Sequence, residues 1–177
     1  MRVVAGALGG RVLRAPKGSD TRPTSDRVRE ALFSILGSVD GSRVLDLFAG
    51  SGALGIEALS RGAGEATFVD AAAAAVAAVR HNLEQLGLQS EVLRMPALRA
   101  LACTPVAGRQ YDLVFLDPPY RMASSLGPQL STALPPILAH GARVVVESDR
   151  RAPLDLDLTL LRERQYGDTL IRIHVAG

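Results

Sequence analysis

From residue 43 onward, short apolar blocks alternate with stretches whose apolar residues recur every three or four positions. The blocks at 43–47, 66–69, 91–95, 112–116 and 143–147 are too short for helices and rich in Val, Leu and Phe. They read as strands. The stretches at 53–61, 71–86, 97–103 and 124–139 carry helical spacing. Residues 71–78 are nearly all alanine, the best helix former, and Val76, Val79 and Leu83 add a packing stripe. Strand–helix alternation of this kind predicts an α/β fold, a mostly parallel sheet covered by helices on both faces. Two further strand-like runs, 159–164 and 169–175, are joined by Tyr166-Gly167-Asp168. They predict a C-terminal antiparallel hairpin that brings the sheet to seven strands.

Upstream the pattern differs. Residues 2–5 and 11–14 are short apolar–polar runs separated by Gly6, Gly9 and Gly10, which predicts a small N-terminal β-hairpin outside the core. Val28, Leu32, Phe33, Ile35 and Leu36 then make one helix face, with Thr24 or Ser25 as its cap. The expected organisation is an extension over residues 1–20 and one catalytic domain over 21–177.

Chemistry concentrates where the strands end. The first strand runs into Phe48-Ala49-Gly50-Ser51-Gly52-Ala53-Leu54-Gly55. A side chain at Gly50 or Gly52 would hold the backbone away from a ligand lying on the turn. The spacing also fits a dinucleotide fingerprint, but Asp46 argues otherwise. Its carboxylate would repel a pyrophosphate and attract a cation. S-adenosylmethionine, with a sulfonium and an ammonium, suits the turn better than NAD. Asp70 ends the next strand, twenty positions after Gly50, the spacing at which an acid meets a ribose diol. Asp70 could equally cap the alanine-rich helix, one oxygen for each role.

The strand at 112–116 ends in Asp117-Pro118-Pro119-Tyr120. In open α/β sheets ligands bind beyond the carboxyl ends of the strands, so this loop falls beside the glycine turn if the two strands are neighbours. The two prolines stiffen it. An exocyclic amine on a nucleobase is a weak nucleophile. Asp117 and the Pro118 carbonyl could accept its hydrogen bonds and orient its lone pair, and Tyr120 could stack on the base.

Composition narrows the reading. The 177 residues suit one domain with a small appendage, and 47% hydrophobic residues allow a full core. No apolar run is long enough for a membrane span and no signal peptide is visible, so the cytoplasm is expected. Cys103 is the single cysteine, and His81, His140 and His174 match no metal motif. The net charge is +2, yet residues 1–30 hold seven basic and three acidic residues, +4 in all. A basic N-terminal segment on a near-neutral domain points to phosphate backbone.

Three segments together resemble the RsmD family. They are Leu45–Gly52, Asp117–Tyr120 and Arg22-Pro23-Thr24-Ser25-Asp26-Arg27-Val28-Arg29-Glu30. The resemblance implies a Rossmann-like class I methyltransferase that modifies a guanine N2 of 16S ribosomal RNA, a monomer acting on an assembling small subunit.

 It also implies that S-adenosylmethionine is held by Asp46, Phe48, Ala49, Gly50, Ser51, Gly52 and Asp70, joined by Arg22 and Thr24 at the mouth of the first helix. The catalytic loop would be Asp117, Pro118, Pro119 and Tyr120. Where related enzymes carry a polar residue for the adenine amine, this chain has Pro96, which leaves the Ala97 N–H as the adenine contact. Three other readings stay open. They are a DNA adenine-N6 methyltransferase, which would lack room for a target-recognition domain, an rRNA-binding assembly factor without catalysis, and, least favoured on charge, a dinucleotide oxidoreductase.

Overall fold

The computed structural model describes residues 1–16 and 25–177, and of residues 120, 121, 123 and 124 only the backbone. Helix α1 (Asp26–Leu36) leads into β1 (Arg43–Asp46), α2 (Ala53–Ser60), β2 (Glu65–Asp70), α3 (Ala73–Leu86) and β3 (Glu91–Arg94). Two short helices follow, α4 (Ala97–Leu101) and α5 (Thr104–Ala107), then β4 (Tyr111–Leu116) and α6 (Tyr120–Ala133). The chain ends with β5 (Leu138–Asp149), β6 (Thr159–Tyr166) and β7 (Thr169–Val175). The seven strands form one sheet in the order β3-β2-β1-β4-β5-β7-β6. Pairing is parallel from β3 through β5 and antiparallel at β7 and β6, as the terminal hairpin requires. Neighbouring β1 and β4 put the glycine turn and the Asp117 loop side by side.

The central strands β1, β2, β4 and the second half of β5 are buried on both faces, so their sequences are apolar runs, whereas β6 at the sheet edge is exposed. One face packs Phe33 of α1, Ile56 of α2 and Val79 of α3 over Phe68 and Phe115. The other packs Ala100 and Leu101 of α4, Val106 of α5 and Leu130 of α6 over Leu45, Val114 and Val146. Local signals account for the helix ends. The Ser25 hydroxyl accepts from the Val28 N–H and caps α1, and Gly37 closes it at φ 71°.

Several boundaries differ from the sequence pattern. The helix expected over 124–139 begins at Tyr120 and stops at Ala133, because Pro135 and Pro136 cannot continue it and a 3₁₀ turn, Pro135–Ile137, follows. The single helix expected over 97–103 is two, separated at Ala102 and Cys103. The N-terminal hairpin is reduced to one antiparallel bridge, Arg2 with Val12, extended by the Val3 N–H to Arg11 carbonyl bond at 2.9 Å. Nor does it stand outside the core. Val3 and Leu13 are buried in the same cluster as Phe33 and Phe115. The polar groups of α2 draw it in: the Val4 and Ala5 N–H groups donate to Glu57 at 2.7 and 3.0 Å, and the Leu8 N–H donates to the Ser60 hydroxyl at 2.9 Å.

Candidate active site

Four neighbouring strands, β2, β1, β4 and β5, each carry an acid at or near their carboxyl ends: Asp70, Asp46, Asp117 and Glu147, with Glu147 two residues short of the end of β5. Register places them on one face. Asp46 pairs with Phe68 and with Phe115, so Asp70 and Asp117 each lie two residues further along the same side. Val145 pairs with Phe115, which brings Glu147 level with Asp117.

Each acid is held differently. Asp70 accepts from the Gly50 N–H at 2.9 Å with one oxygen and from the Ala72 N–H at 2.8 Å with the other. It is not the cap of α3. That position belongs to Ala72, which makes no side-chain cap bond. Asp70 therefore pins the glycine turn to the end of β2, and each of its oxygens keeps a second lone pair. Asp46 is buried at 2% exposure and accepts from the Gly55 N–H at 3.2 Å. Burial is the main force on its carboxyl, the Gly55 N–H opposes it and the Asp70 charge adds to it. The result is a rise from 3.8 to about 7. Asp117, part-exposed at the loop, is pushed well above the usual carboxylate range by burial, then by Glu147 and Asp46. Among the described residues no cation pairs with Asp46 or Asp117.

The turn between β1 and α2 is as glycine-dependent as its sequence suggests, for two different reasons. Gly50 and Gly52 sit at φ 55° and 79°, where other residues are strained. A Cβ on Gly50 would meet open space, the side a ligand would approach. A Cβ on Gly52 would press to 3.3 Å against Ile56, Phe68 and Val79, so that position serves the core and not ligand clearance. Ala49 is buried in the core with its N–H on the Val69 carbonyl at 3.0 Å, Ser51 is buried, and Phe48 is half-buried against the opposite face. Ala97 opens α4, beyond β3 and next to Met95, whose N–H donates to the Asp70 carbonyl at 3.1 Å. Pro118 and Pro119 lead directly into α6, whose first residue is Tyr120. Arg22 and Thr24 lie outside the described residues.

This arrangement has relatives. The model of the family described by the words Conserved hypothetical protein 95 matches residues 1–175. The chain belongs to this family, the RsmD family. YlbH of Bacillus subtilis (strain 168) is 40% identical over 180 residues, covering 98% of each chain. The Ribosomal RNA small subunit methyltransferase D of Haemophilus influenzae is 35% identical over 182 residues, covering 98% of this chain and 93% of that one. The solved structure of yhhF from Escherichia coli superposes with a TM-score of 0.84 at 35% identity, over 99% of this chain and 97% of that one.

One residue of the acidic rim, Glu147, escapes a motif-based reading. It lies at 4% exposure beside Asp117. Its signal was available, since Val144–Val146 end on an acid just as the other three strands do. A hollow of about 410 Å³ at the amino-terminal ends of β1, β2 and β4 is lined by Arg43, Glu65 and Asp112. Those charges satisfy one another: Arg43 ion-pairs with Glu65, and its N–H donates to Asp112 at 2.7 Å. Among the described residues no helix is long and apolar enough to cross a membrane.

Proposed function

We propose that this chain transfers a methyl group from S-adenosylmethionine to the exocyclic N2 amine of a guanine in 16S ribosomal RNA, as a cytoplasmic monomer acting on an assembling small subunit. The observation that carries the reading is the acidic rim towards the carboxyl ends of β2, β1, β4 and β5, where burial raises Asp46 and Asp117 and the charges of neighbouring acids add to the rise. A buried acid without a cation is relieved by a cationic ligand, and a dianionic pyrophosphate would worsen the repulsion. The family relationship and the name of the Haemophilus relative support rRNA as the substrate.

The residues fit a sulfonium donor. Bound over the glycine turn, S-adenosylmethionine supplies an activated methyl group. Asp70 has lone pairs left for a ribose diol, and the open side of Gly50 leaves room for the ligand chain. Asp117 and the Pro118 carbonyl accept hydrogen bonds from the amine and turn its lone pair toward the methyl group. That role belongs to the ionised form of Asp117, because a protonated carboxyl would donate instead. The other catalytic-loop residues, Pro119 and Tyr120, stiffen the loop and stack on the base.

The test is methyl transfer from labelled S-adenosylmethionine to small subunits lacking this modification, with the RNA digested to nucleosides and identified by mass. N2-methylguanosine that disappears with Asp117→Ala supports the reading. Methyladenine formed in a parallel DNA reaction, with the rRNA unlabelled, moves the assignment to the adenine enzyme. Cofactor binding without transfer to either leaves the assembly-factor reading.

A further inference from the structure

The basic N-terminal segment and the cofactor turn are built onto each other through one side chain. Asn82 of α3 lies at 2% exposure and uses its whole amide. Its Oδ1 accepts from the Arg14 N–H at 2.8 Å, and its Nδ2 donates to the Arg14 carbonyl at 3.0 Å and to the Ser51 carbonyl at 2.8 Å. The orientation is unambiguous, because the reversed amide would set its NH₂ group against the Arg14 N–H. A second contact runs in parallel: the Ser51 hydroxyl donates to the Met1 sulfur at 3.3 Å. The Met1 carbonyl in turn accepts from the Leu13 N–H at 3.0 Å. Farther along α2, the Ala7 N–H donates to the Ser60 carbonyl at 2.7 Å. The segment is thus strapped along α2 from the glycine turn to the helix's last residue. Nothing in S-adenosylmethionine binding alone requires this connection. The exposed side chains of Arg2, Arg11 and Arg14 are carried on the strap.

We propose that Asn82 is a positioning residue that couples the seat of the strap to the seat of the cofactor, so that RNA and S-adenosylmethionine each bind more tightly when the other is present. The inference rests on the reading given under Proposed function, in which the turn holds the cofactor and the strap meets RNA. Both ligands act on one rigid connection: a phosphate backbone that fixes Arg14 also fixes the Ser51 carbonyl through the shared amide. By linkage the effect is reciprocal.

The experiment measures the Kd of S-adenosylhomocysteine by calorimetry, with and without small subunits lacking the modification, for the wild type, Asn82→Ala and Asn82→Asp. The aspartate is nearly isosteric and loses both donors, so it carries the test if the alanine variant does not fold. The wild type is expected to bind at least about fivefold more tightly with the particle present, and both variants are expected to lose that gain while still binding each ligand. Equal Kd values with and without the particle in the wild type overturn the proposal. So does a variant that weakens cofactor binding while keeping the full gain, which would make Asn82 merely structural. Failure of the underlying reading shows differently, as a wild type that binds no particle or no S-adenosylhomocysteine at all, and it removes the proposal with it.

Discussion

Two buried charge clusters lie on the same face of the sheet, and they are organised in opposite ways. Under the strap, Arg29 is fully buried, with Nε 3.6 Å from Glu57 and Nη2 donating to Asp26 at 2.9 Å and to the Arg2 carbonyl. Glu57, also fully buried, gathers the Val4 and Ala5 N–H groups and Arg61 Nε at 2.7 Å. Charge meets charge there, and the cluster joins the strap to α1 and α2. At the strand ends no cation among the described residues pairs with Asp46 or Asp117, and burial together with neighbouring acids raises both carboxyls. A folded chain tolerates the first arrangement for its own stability. The second is unfavourable for the chain alone, which is the mark of a site built for something that arrives later.

The comparison breaks if both clusters respond alike to loss of an acid. Glu57→Ala leaves the buried Arg29 with Asp26 as its one acid and takes the acceptor from the Val4 and Ala5 N–H groups, which should cost roughly 3–5 kcal/mol, a fall in Tm on the order of 10 °C by thermal denaturation. Asp46→Asn should do the reverse in the ligand-free protein. An acid whose carboxyl is raised in the folded state holds its proton there after the unfolded chain has lost it. Stability therefore falls as pH rises from about 4 to about 7. The rise from 3.8 to about 7 corresponds to roughly 4 kcal/mol at most. Asp46→Asn should accordingly raise Tm at pH 8, leave it nearly unchanged at pH 4, and remove Asp46's share of the slope between, with that of Asp117 remaining.

Catalysis sharpens the same contrast. Methyl transfer by the wild type should climb with pH by up to about tenfold per unit until Asp117 is ionised. Burial raises Asp117 first, and the charges of Glu147 and Asp46 add to the rise. Asp117→Asn keeps a carbonyl acceptor that does not titrate, and whatever rate it retains should be flatter with pH. Initial rates measured from mildly acidic to mildly alkaline pH check both statements. The smallest effect belongs to neither cluster: Ser25→Ala removes the cap of α1 and should cost about 1 kcal/mol, seen as a drop of a few degrees in Tm.

The strands, their alternation with helices and the C-terminal hairpin were legible because buried parallel strands write themselves as apolar runs with punctuation, whereas the strand order, and with it the neighbouring placement of the two motif loops, depends on pairings distant in sequence. Asp46, Asp70 and Asp117 were legible for the same reason: an acid closing such a run has few other uses. What escaped is what depends on contacts distant in sequence. Asn82 looks like an ordinary polar position on an alanine-rich helix, since nothing local reveals that its partners are 31 and 68 residues away. Glu57 and Arg29 look like solvated helix charges, and the strap that buries them carried too few apolar residues to declare itself part of the core. The capping role expected of Asp70 is not taken up, because its two oxygens go to the Gly50 and Ala72 N–H groups and Ala72 holds the cap position of α3.

The measurement that bears most directly on the acidic rim is ligand preference at pH 8, by calorimetry, for the wild type and Asp46→Asn. S-adenosylmethionine should bind the wild type, NAD should not, and Asp46→Asn should weaken S-adenosylmethionine at least about tenfold, on the order of 1.4 kcal/mol. Binding of NAD by the wild type, or equal affinity of S-adenosylmethionine for both proteins, would contradict the claim that these acids await a cation.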